Sequence, residues 1–273
     1  MTKIEITNPD KIIYSDCGIK KIDVINYYID IAPQMLPFVK KRILSVIRCH
    51  SGVGEECFFK KHPQDADKVC IFNDDEQEYF YIKDINQLIW QVQNGTIEFH
   101  PWGSTINALE NPDMMVFDLD PDENLSLKAL RDAVLKLKSV LDELGLHSYL
   151  KTSGGKGYHI IVPFAKSENW DIFYQFSKQI ALICEQNWPN IFTTNIKKVN
   201  RKGKIFVDYL RNNRGSTCVA PYSLRARAGA PISMPILWED LTKIKPNEIN
   251  IKNYKKYSKN AWGKFIKNTK KIK

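Results

Sequence analysis

The segment that most constrains this chain is residues 114–120, Met-Met-Val-Phe-Asp-Leu-Asp, in which four apolar residues lead into an Asp-x-Asp pair. In a β-strand, residues two apart project from the same face, so Asp118 and Asp120 would lie side by side. Adjacent carboxylates repel each other unless a cation lies between them, and Mg²⁺ or Mn²⁺ prefers such oxygen ligands. A buried strand that simply ends in the acidic turn at residues 121–123 is the alternative interpretation.

A second segment, residues 151–163, reads Lys-Thr-Ser-Gly-Gly-Lys-Gly-Tyr-His-Ile-Ile-Val-Pro. Its glycines can expose backbone N–H groups to an anion, and Lys156 adds positive charge. The segment is not a Walker A loop, because Gly157 follows the lysine where Ser or Thr is required and a strand-like run follows where a helix is required. The alternation after the loop places His159 on the face opposite its two neighbours. A tight glycine hairpin with an exposed histidine is the alternative.

A third segment, residues 204–208, is another apolar strand that ends on a carboxylate, Asp208. Three aspartates suit a pair of divalent ions that activate an attacking 3′-hydroxyl and stabilise a leaving pyrophosphate. Such phosphoryl transfer demands little covalent chemistry of the protein but needs donors for the phosphates. The candidate metal-binding and catalytic residues are Asp118, Asp120 and Asp208, and the candidate nucleotide-binding residues here are Ser153, Lys156, His159, Arg211 and Arg225.

The segments Phe-Asp-Leu-Asp-Pro, Lys-Thr-Ser-Gly-Gly-Lys-Gly-x-His and Phe-Val-Asp-Tyr-Leu-Arg-Asn resemble, in this order, those of the archaeo-eukaryotic primase superfamily. More closely, they are similar to the polymerase domain of bacterial and archaeal DNA ligase D, the repair polymerase of non-homologous end joining. The similarity extends from about residue 8 to residue 241 and includes residues 8–11, 57–62, 100–103 and 220–227. Neither a nucleotidyl-lysine motif of a ligase nor a phosphoesterase module is visible, which indicates a stand-alone form or a domain cut from a longer protein.

The resemblance implies an α/β (α+β) fold with a primase-like catalytic core, in which helices flank a mixed, largely antiparallel sheet. It implies a template-dependent DNA or RNA polymerase that fills gaps and extends ends at double-strand breaks, prefers ribonucleotides and uses two Mn²⁺ or Mg²⁺ ions. The implied partners are DNA with gaps or 3′ overhangs and a 5′-phosphate, NTPs or dNTPs, a Ku-like protein and a separate DNA ligase. A replicative or plasmid-type primase and a non-catalytic DNA end-synapsis module remain alternatives.

Further site residues follow from the resemblance alone. A histidine matching His100 contacts the incoming nucleotide, and lysines matching Lys11 and Lys21 hold the 5′-phosphate of a recessed DNA end. Each lysine could also be an ordinary surface residue, and a single histidine is most often structural. Adjacent phenylalanines point to opposite faces of a strand, so we expect one in the core and one on a template base. The DNA-binding residues predicted here are Phe58, Phe59 and Lys60.

The net charge of +9 is concentrated at the C-terminus. After Glu248 there are nine lysines and no acidic residue, whereas the rest of the chain balances 31 basic with 31 acidic residues. We therefore predict a catalytic domain over residues 1–248 and a lysine-rich tail over residues 249–273. Interleaved lysines and aromatics suit electrostatic attachment to nucleic acid with stacking, but a terminal helix packed by its aromatics is equally compatible. The tail aromatics are Tyr254, Tyr257, Trp262 and Phe265.

The six cysteines contain no Cys-x-x-Cys motif, so they are predicted to be reduced thiols. A zinc site can be drawn from Cys49, His50, Cys57, His62 and Cys70, but the spacing fits no common zinc motif. No apolar run is long enough for a membrane span and the N-terminus does not resemble a signal peptide, so we expect a cytoplasmic, nucleoid-associated protein without a membrane partner.

Apolar periodicity predicts four helices, the first of which is expected to stop at Pro33. Residues 197–204 carry five cations and no acid, and are predicted to be a phosphate-contact loop near the third aspartate. The predicted helices cover residues 22–32, 85–93, 126–144 and 170–187.

Overall fold

The computed structural model describes residues 4–63, 68–257, 261–263, 265 and 269–272. The chain divides into two compact units. The first contains residues 1–107, 217–234 and 248–259, and the second contains residues 108–216, 235–247 and 260–273. Within the described part of the chain, no helix is both long and apolar enough to cross a bilayer.

The first unit is built on a three-stranded antiparallel sheet with β3 in the centre, in the order β4-β3-β7. Two antiparallel hairpins, β1–β2 and β5–β6, accompany this sheet. The elements are β1 (Ile12–Tyr14), β2 (Ile19–Lys20), α1 (Lys21–Val39), β3 (Leu44–Arg48), β4 (Phe58–Lys60), β5 (Cys70–Asp74), β6 (Gln77–Tyr81), α2 (Ile85–Gln93) and β7 (Thr96–Pro101).

Helix α1 differs from the sequence prediction, because it continues through Pro33 and Pro37 to Val39. A proline inside a helix removes one backbone hydrogen bond and crowds the preceding turn. Both prolines lie on the exposed side of α1, while Met35 and Phe38 after Pro33 are buried. Water can therefore satisfy the carbonyls that the prolines leave without a donor, and burial of the opposite face sustains the helix.

Helix α2 begins and ends as predicted. The side chain of Asp84 accepts a hydrogen bond from the backbone N–H of Gln87 at 3.0 Å, which caps the helix. The chain leaves the helix at Gly95, whose φ of +82° favours glycine. Strand β7 follows directly and carries two residues of the candidate site, Glu98 and His100.

The cysteine prediction was wrong for one pair, because Cys49 and Cys57 form a disulfide with Cα atoms 4.4 Å apart. Strands β3 and β4 are antiparallel partners in which Arg48 faces Phe58. Cys49 follows Arg48 and Cys57 precedes Phe58, so the pairing of the strands brings the two cysteines close together. This proximity depends on strand pairing and not on a local motif. The cysteines that remain thiols are Cys17, Cys70, Cys184 and Cys218.

The second unit is built on a six-stranded sheet in the order β11-β12-β8-β10-β9-β13. All neighbours are antiparallel except β11 and β12, which confirms the predicted mixed, largely antiparallel sheet. The elements are β8 (Met114–Pro121), α3 (Leu127–Glu143), β9 (Tyr149–Thr152), β10 (Tyr158–Pro163), α4 (Trp170–Asn187), β11 (Phe192–Thr193), β12 (Ile205–Asp208) and β13 (Pro235–Ile236).

The helices of this unit follow the predicted boundaries. The Ser126 side chain accepts a hydrogen bond from the Ala129 N–H at 3.1 Å and starts α3. Asn169 caps α4 in the same way through the Ile172 N–H, at 3.0 Å. The Ile172 side chain itself is exposed.

Three of the four aromatic residues of the C-terminal segment are buried, namely Tyr254, Trp262 and Phe265. The indole N–H of Trp262 donates to the Leu150 carbonyl at 2.9 Å, and the Trp262 ring stacks on Phe265 at a centroid distance of 5.3 Å. Both rings are buried, as is Tyr254, whose hydroxyl donates to Asp30. The structure thus favours packing over base stacking for these rings, while the described lysines of the segment are exposed.

Candidate active site

Strand pairing in the second unit aligns four polar residues across the sheet. Asp118 in β8 faces His159 in β10 on one side and Asp208 in β12 on the other. His159 in turn faces Lys151 in β9. Asp120 projects from the same face as Asp118, because the two residues are two apart in β8. The register of four strands therefore assembles the predicted metal-binding residues beside the predicted histidine.

The three aspartates come close enough to share a cation. One ligand oxygen from each of Asp118, Asp120 and Asp208 lies within 4.8 Å of the other two. Among the residues that the structure describes, they form the one group of three or more potential metal ligands, so the zinc site considered from the cysteines and histidines is not formed. Carboxylate oxygens are the ligands preferred by Mg²⁺ and Mn²⁺, so the donor set fits these ions.

The electrostatics of the cluster also favour a bound cation. Burial, and then the charges of Asp120 and Asp208, raise the pKa of Asp118 above its ordinary value. Burial and the charge of Asp208 raise the pKa of Asp120 as well, against the opposing charges of Arg201 and Arg211. The three carboxylates thus repel one another, and a divalent ion would relieve that repulsion.

His159 is buried and connects the aspartate cluster to a buried lysine. Its Nε2 lies 3.3 Å from Asp118 Oδ1, and its Nδ1 lies 2.9 Å from the Lys151 ammonium nitrogen. An ammonium group can only donate, so Nδ1 is the acceptor and Nε2 carries the ring proton toward Asp118. The exposed histidine that the sequence allowed as an alternative is excluded, because His159 is 3% exposed.

The glycine loop between β9 and β10 is closed on the Ser153 side chain. Ser153 Oγ accepts hydrogen bonds from the N–H groups of Gly155 at 3.0 Å and Gly157 at 3.2 Å. The N–H groups of Ser153 and Gly154 also donate to protein carbonyls. The predicted array of N–H groups open to an anion is therefore not observed, because the Ser153 hydroxyl oxygen accepts the hydrogen bonds of Gly155 and Gly157 that an anion would accept. Lys156 is exposed and forms an ion pair with Glu123 at 2.8 Å.

Arg211 follows β12, and its side chain contacts Asp208 at the end of that strand. Its Nε lies 3.1 Å from Asp208 Oδ2, and Asp208 Oδ1 accepts a hydrogen bond from the Leu210 N–H at 3.0 Å. Asn212 fixes the same turn to β8, since its side chain accepts from the Val116 N–H at 2.7 Å and donates to the Val116 carbonyl at 2.8 Å. Arg211 is therefore held beside the aspartate cluster, and its contact with a nucleotide stays a prediction.

In the first unit, two further predicted nucleotide contacts meet at one carboxylate. His100 Nε2 and Arg225 Nε each lie 2.9 Å from Glu98 Oε2. Glu98 is 2% exposed and was not among the predicted site residues. Glu98 lies two residues before His100 in β7, so both side chains project from one face of the strand. This spacing is the sequence feature that could have identified Glu98 as a neighbour of His100.

Lys11 and Lys21 line one cavity of about 200 Å³ in the first unit. The Lys11 ammonium donates to the His50 carbonyl at 2.5 Å, and the Lys21 ammonium donates to the Thr7 carbonyl at 2.8 Å. Burial and the charge of Lys11 lower the pKa of Lys21. The cavity therefore concentrates positive charge, as a site for an anion would.

The phenylalanine pair in β4 differs from the expectation in one respect. Phe58 is 39% exposed and Phe59 is 50% exposed, so neither belongs to the core. Because adjacent residues of a strand point to opposite faces, the exposure of both rings shows that neither face of β4 is covered at this point. The Lys60 ammonium lies 5.5 Å from the Phe58 ring centroid. This surface joins aromatic rings to cations, the combination that suits stacked bases and phosphates.

Comparisons with known proteins agree with this geometry. The family model of the LigD primase-polymerase domain matches residues 20–264. The chain is 36% identical over 257 residues to the multifunctional non-homologous end joining protein LigD of Pseudomonas aeruginosa, a match that covers 92% of this chain and 31% of that protein. It is 34% identical over 242 residues to the bifunctional non-homologous end joining protein LigD of Bacillus subtilis, covering 88% of this chain and 39% of the relative.

The structure is similar to that of the polymerase domain of Mycobacterium tuberculosis ligase D in complex with DNA, with a TM-score of 0.84, 26% sequence identity and coverage of 93% of each chain. The chain spans about a third of the length of the curated relatives it matches. The match over nearly the whole chain confirms the resemblance found in the sequence motifs. The chain belongs to the LigD primase-polymerase domain family.

Proposed function

We propose that this chain is a template-dependent nucleotidyltransferase that extends the 3′-hydroxyl of a DNA end or gap during non-homologous end joining. The observation that carries the proposal is the convergence of Asp118, Asp120 and Asp208 within 4.8 Å beside His159. The names of the relatives support the pathway, and the DNA complex of the solved relative supports a DNA substrate.

The three aspartates would hold two divalent cations, Mn²⁺ or Mg²⁺. Cations bound there supply Lewis acidity to the attacking hydroxyl and to the leaving pyrophosphate. His159 presents its Nε2 proton at this cluster, where it can donate to a phosphate oxygen. Arg211 supplies positive charge beside Asp208. Lys156 and Ser153 remain proposed phosphate contacts from the glycine loop, and His100 and Arg225 remain proposed nucleotide contacts.

The DNA contacts are proposed for the first unit. Phe58, Phe59 and Lys60 form an exposed surface of rings and cations that suits an unstacked template base and its backbone. Lys11 and Lys21 line a cavity that suits a terminal phosphate. A preference for ribonucleotides, recruitment by a Ku-like protein and sealing by a DNA ligase are part of the proposal, and the names of the relatives support the pathway in which they would act.

Primer extension with an Asp118→Ala variant tests the proposal. We expect extension to fall by about a thousandfold or more, since the metal site loses a ligand, while DNA binding persists because the cluster holds cations and not DNA. Asp132→Ala is the matched control, because Asp132 is an exposed aspartate in α3 paired only with Lys128 in a helical i,i+4 pair. Equal extension by Asp118→Ala and wild type would remove the proposal.

A primase is the second candidate to separate by experiment. The assay compares a primed gap with an unprimed single strand, NTPs with dNTPs and Mn²⁺ with Mg²⁺. Efficient synthesis on the unprimed strand, with no advantage for the gap, would favour a primase.

A further inference from the structure

The buried carboxylate of Glu98 accepts hydrogen bonds from three donors in the first unit. Oε2 lies 2.9 Å from His100 Nε2 and 2.9 Å from Arg225 Nε. Oε1 accepts from the Ala226 backbone N–H at 2.7 Å. One side chain therefore fixes a histidine on its own strand and an arginine 127 residues later in the chain.

Because Glu98 is buried, its carboxylate depends on these hydrogen bonds for stability. A buried carboxylate is costly unless its oxygens are paired and hydrogen-bonded, and here both oxygens have donors. Burial alone would raise the pKa of Glu98, but the hydrogen bond from His100 and the charge of Arg225 outweigh it, and the pKa lies below the ordinary value. Glu98 is thus an ionised acceptor, so His100 must present its Nε2 proton to Glu98.

The main chain around Arg225 is held independently of Glu98. The Tyr14 hydroxyl donates to the Arg225 carbonyl at 2.9 Å, and the Arg225 N–H donates to the Pro231 carbonyl at 2.8 Å. Glu98 adds the constraint on the guanidinium itself. The Arg225 and His100 side chains are 15% and 14% exposed, so each retains a small accessible surface. The hydrogen bond to Glu98 fixes the orientation of each side chain.

We propose that Glu98 is a positioning residue that orients His100 and Arg225 together toward the incoming nucleotide. This inference rests on the proposed nucleotide contacts of His100 and Arg225. Because both side chains share Oε2, a change at Glu98 releases both at once. Glu98 acts through them and has no contact of its own with the nucleotide in this proposal.

The test measures binding of NTP with Mn²⁺ by direct titration, and primer extension separately. For Glu98→Gln, which removes the charge and keeps the size, we expect about a tenfold to hundredfold weaker nucleotide binding and a matching rise in KM, with unchanged affinity for DNA. In a His100→Ala, Arg225→Ala background, the same Glu98→Gln change should have no further effect on nucleotide binding. Unchanged nucleotide affinity in the first comparison, or an equal loss in both backgrounds, would overturn the proposal.

Two controls separate positioning from folding. Glu110→Gln removes a carboxylate from an exposed pair with Arg214 and should leave nucleotide binding unchanged. Glu98→Asp keeps the charge and shortens the side chain by one methylene, so it should give an intermediate loss of nucleotide affinity in a folded protein. If Glu98→Gln unfolds and Glu98→Asp binds nucleotide like wild type, the role is structural and the proposal is wrong.

The two readouts also separate this inference from the proposed function. A wild type that binds NTP without extending a primer would contradict the proposed polymerase, while the binding titrations would still decide the role of Glu98. A wild type that binds no NTP would overturn both.

Discussion

The backbone oxygen of Leu119 lies 2.3 Å from the position that a Cβ atom on Gly157 would occupy. Leu119 separates the two aspartates of β8, and Gly157 ends the loop that leads into β10. Real Cβ atoms do not approach a carbonyl oxygen so closely, so only glycine fits here without a shift of the backbone. The glycine loop therefore lies directly against the strand that carries the candidate metal ligands Asp118 and Asp120.

The first prediction is that Gly157→Ala displaces β8 and impairs the metal site. We expect a loss of about 1–3 kcal/mol in the free energy of unfolding, typical of an overpacked contact, and at least about a tenfold loss of primer extension. Gly145→Asn is the control, since Gly145 has open space around a Cβ and a φ of +68° that asparagine tolerates. Equal extension by Gly157→Ala and wild type would show that the strand can move without consequence.

The second prediction concerns the repulsion among the aspartates. Burial and the neighbouring carboxylates raise the pKa of Asp118 in the folded chain. A carboxyl raised in this way contributes stability that is fully present below its unfolded pKa and is lost as pH rises through its folded pKa. Without metal at neutral pH, Asp118→Asn should therefore be more stable than wild type, by about 1–2 kcal/mol, and the difference should shrink toward pH 4.

Thermal unfolding in a chelator across this pH range measures the effect, with Asp132→Asn as the exposed control. Adding Mn²⁺ should raise the Tm of wild type, because a ligand that binds only the folded state stabilises it, and should raise that of Asp118→Asn much less. A variant that is less stable than wild type at neutral pH, or that gains as much from Mn²⁺, would contradict the predicted repulsion.

Local sequence rules predicted the parts of the site that depend on one strand or one helix. The two-residue period of a strand placed Asp118 beside Asp120 and His159 on the face opposite its neighbours, and apolar periodicity predicted the ranges of α2, α3 and α4. The same local reasoning failed at Pro33, where burial on the far side of α1 outweighs the lost hydrogen bond.

Contacts between residues on different strands and loops could not be predicted from the sequence. The contact of Lys151 with His159 requires that β9 and β10 pair in one register, and the contact of Glu98 with Arg225 joins strands and loops far apart in the chain. No sequence motif assigns a role to Lys151 or Glu98. Charged residues are rarely buried unless they are paired, so the sequence gives no reason to expect either of them in the interior. Hence the candidate site residues could be predicted from the sequence, whereas Lys151 and Glu98, which contact them, could not.

The third prediction is that Lys151 supports His159 and the metal cluster. Lys151 is 1% exposed, its ammonium contacts His159 Nδ1, and its charge opposes the raised pKa of Asp118. Lys151→Met keeps the apolar length but removes the donor and the charge, so we expect weaker Mn²⁺ binding and at least about a tenfold loss of extension. Lys128→Met, at an exposed lysine, should change neither. Normal Mn²⁺ affinity in Lys151→Met would exclude this role.

The fourth prediction separates the two roles considered for the C-terminal segment. Trp262 is buried and hydrogen-bonded to Leu150, so Trp262→Ala should lower the free energy of unfolding by about 3–5 kcal/mol. Lys270 and Lys271 are exposed, and their replacement by alanine should leave the Tm unchanged. If these lysines neutralise DNA phosphates, the salt dependence of DNA binding should become shallower by about one unit for each phosphate that is no longer neutralised. An unchanged salt dependence would exclude phosphate contacts by Lys270 and Lys271.

The last prediction concerns the cavity lined by Lys11 and Lys21. A terminal phosphate carries about two negative charges near neutral pH, and charge-assisted hydrogen bonds to it are stronger than neutral ones. Burial, and then the charge of Lys11, lower the pKa of Lys21, and a bound dianion would oppose the effect of the second charge. We therefore expect wild type to bind a gap with a 5′-phosphate about tenfold or more tightly than the same gap with a 5′-hydroxyl.

The double variant Lys11→Ala, Lys21→Ala should lose this preference and keep near-normal extension on an open template-primer, because the aspartate cluster is unchanged. Its control is Lys20→Ala, which removes a neighbouring lysine that forms an exposed ion pair with Asp10 and does not line the cavity. Gap binding with and without the phosphate, at one salt concentration, gives the comparison. If wild type shows no preference for the phosphate, or if the double variant retains it, the two lysines are ordinary surface residues and the cavity has another role.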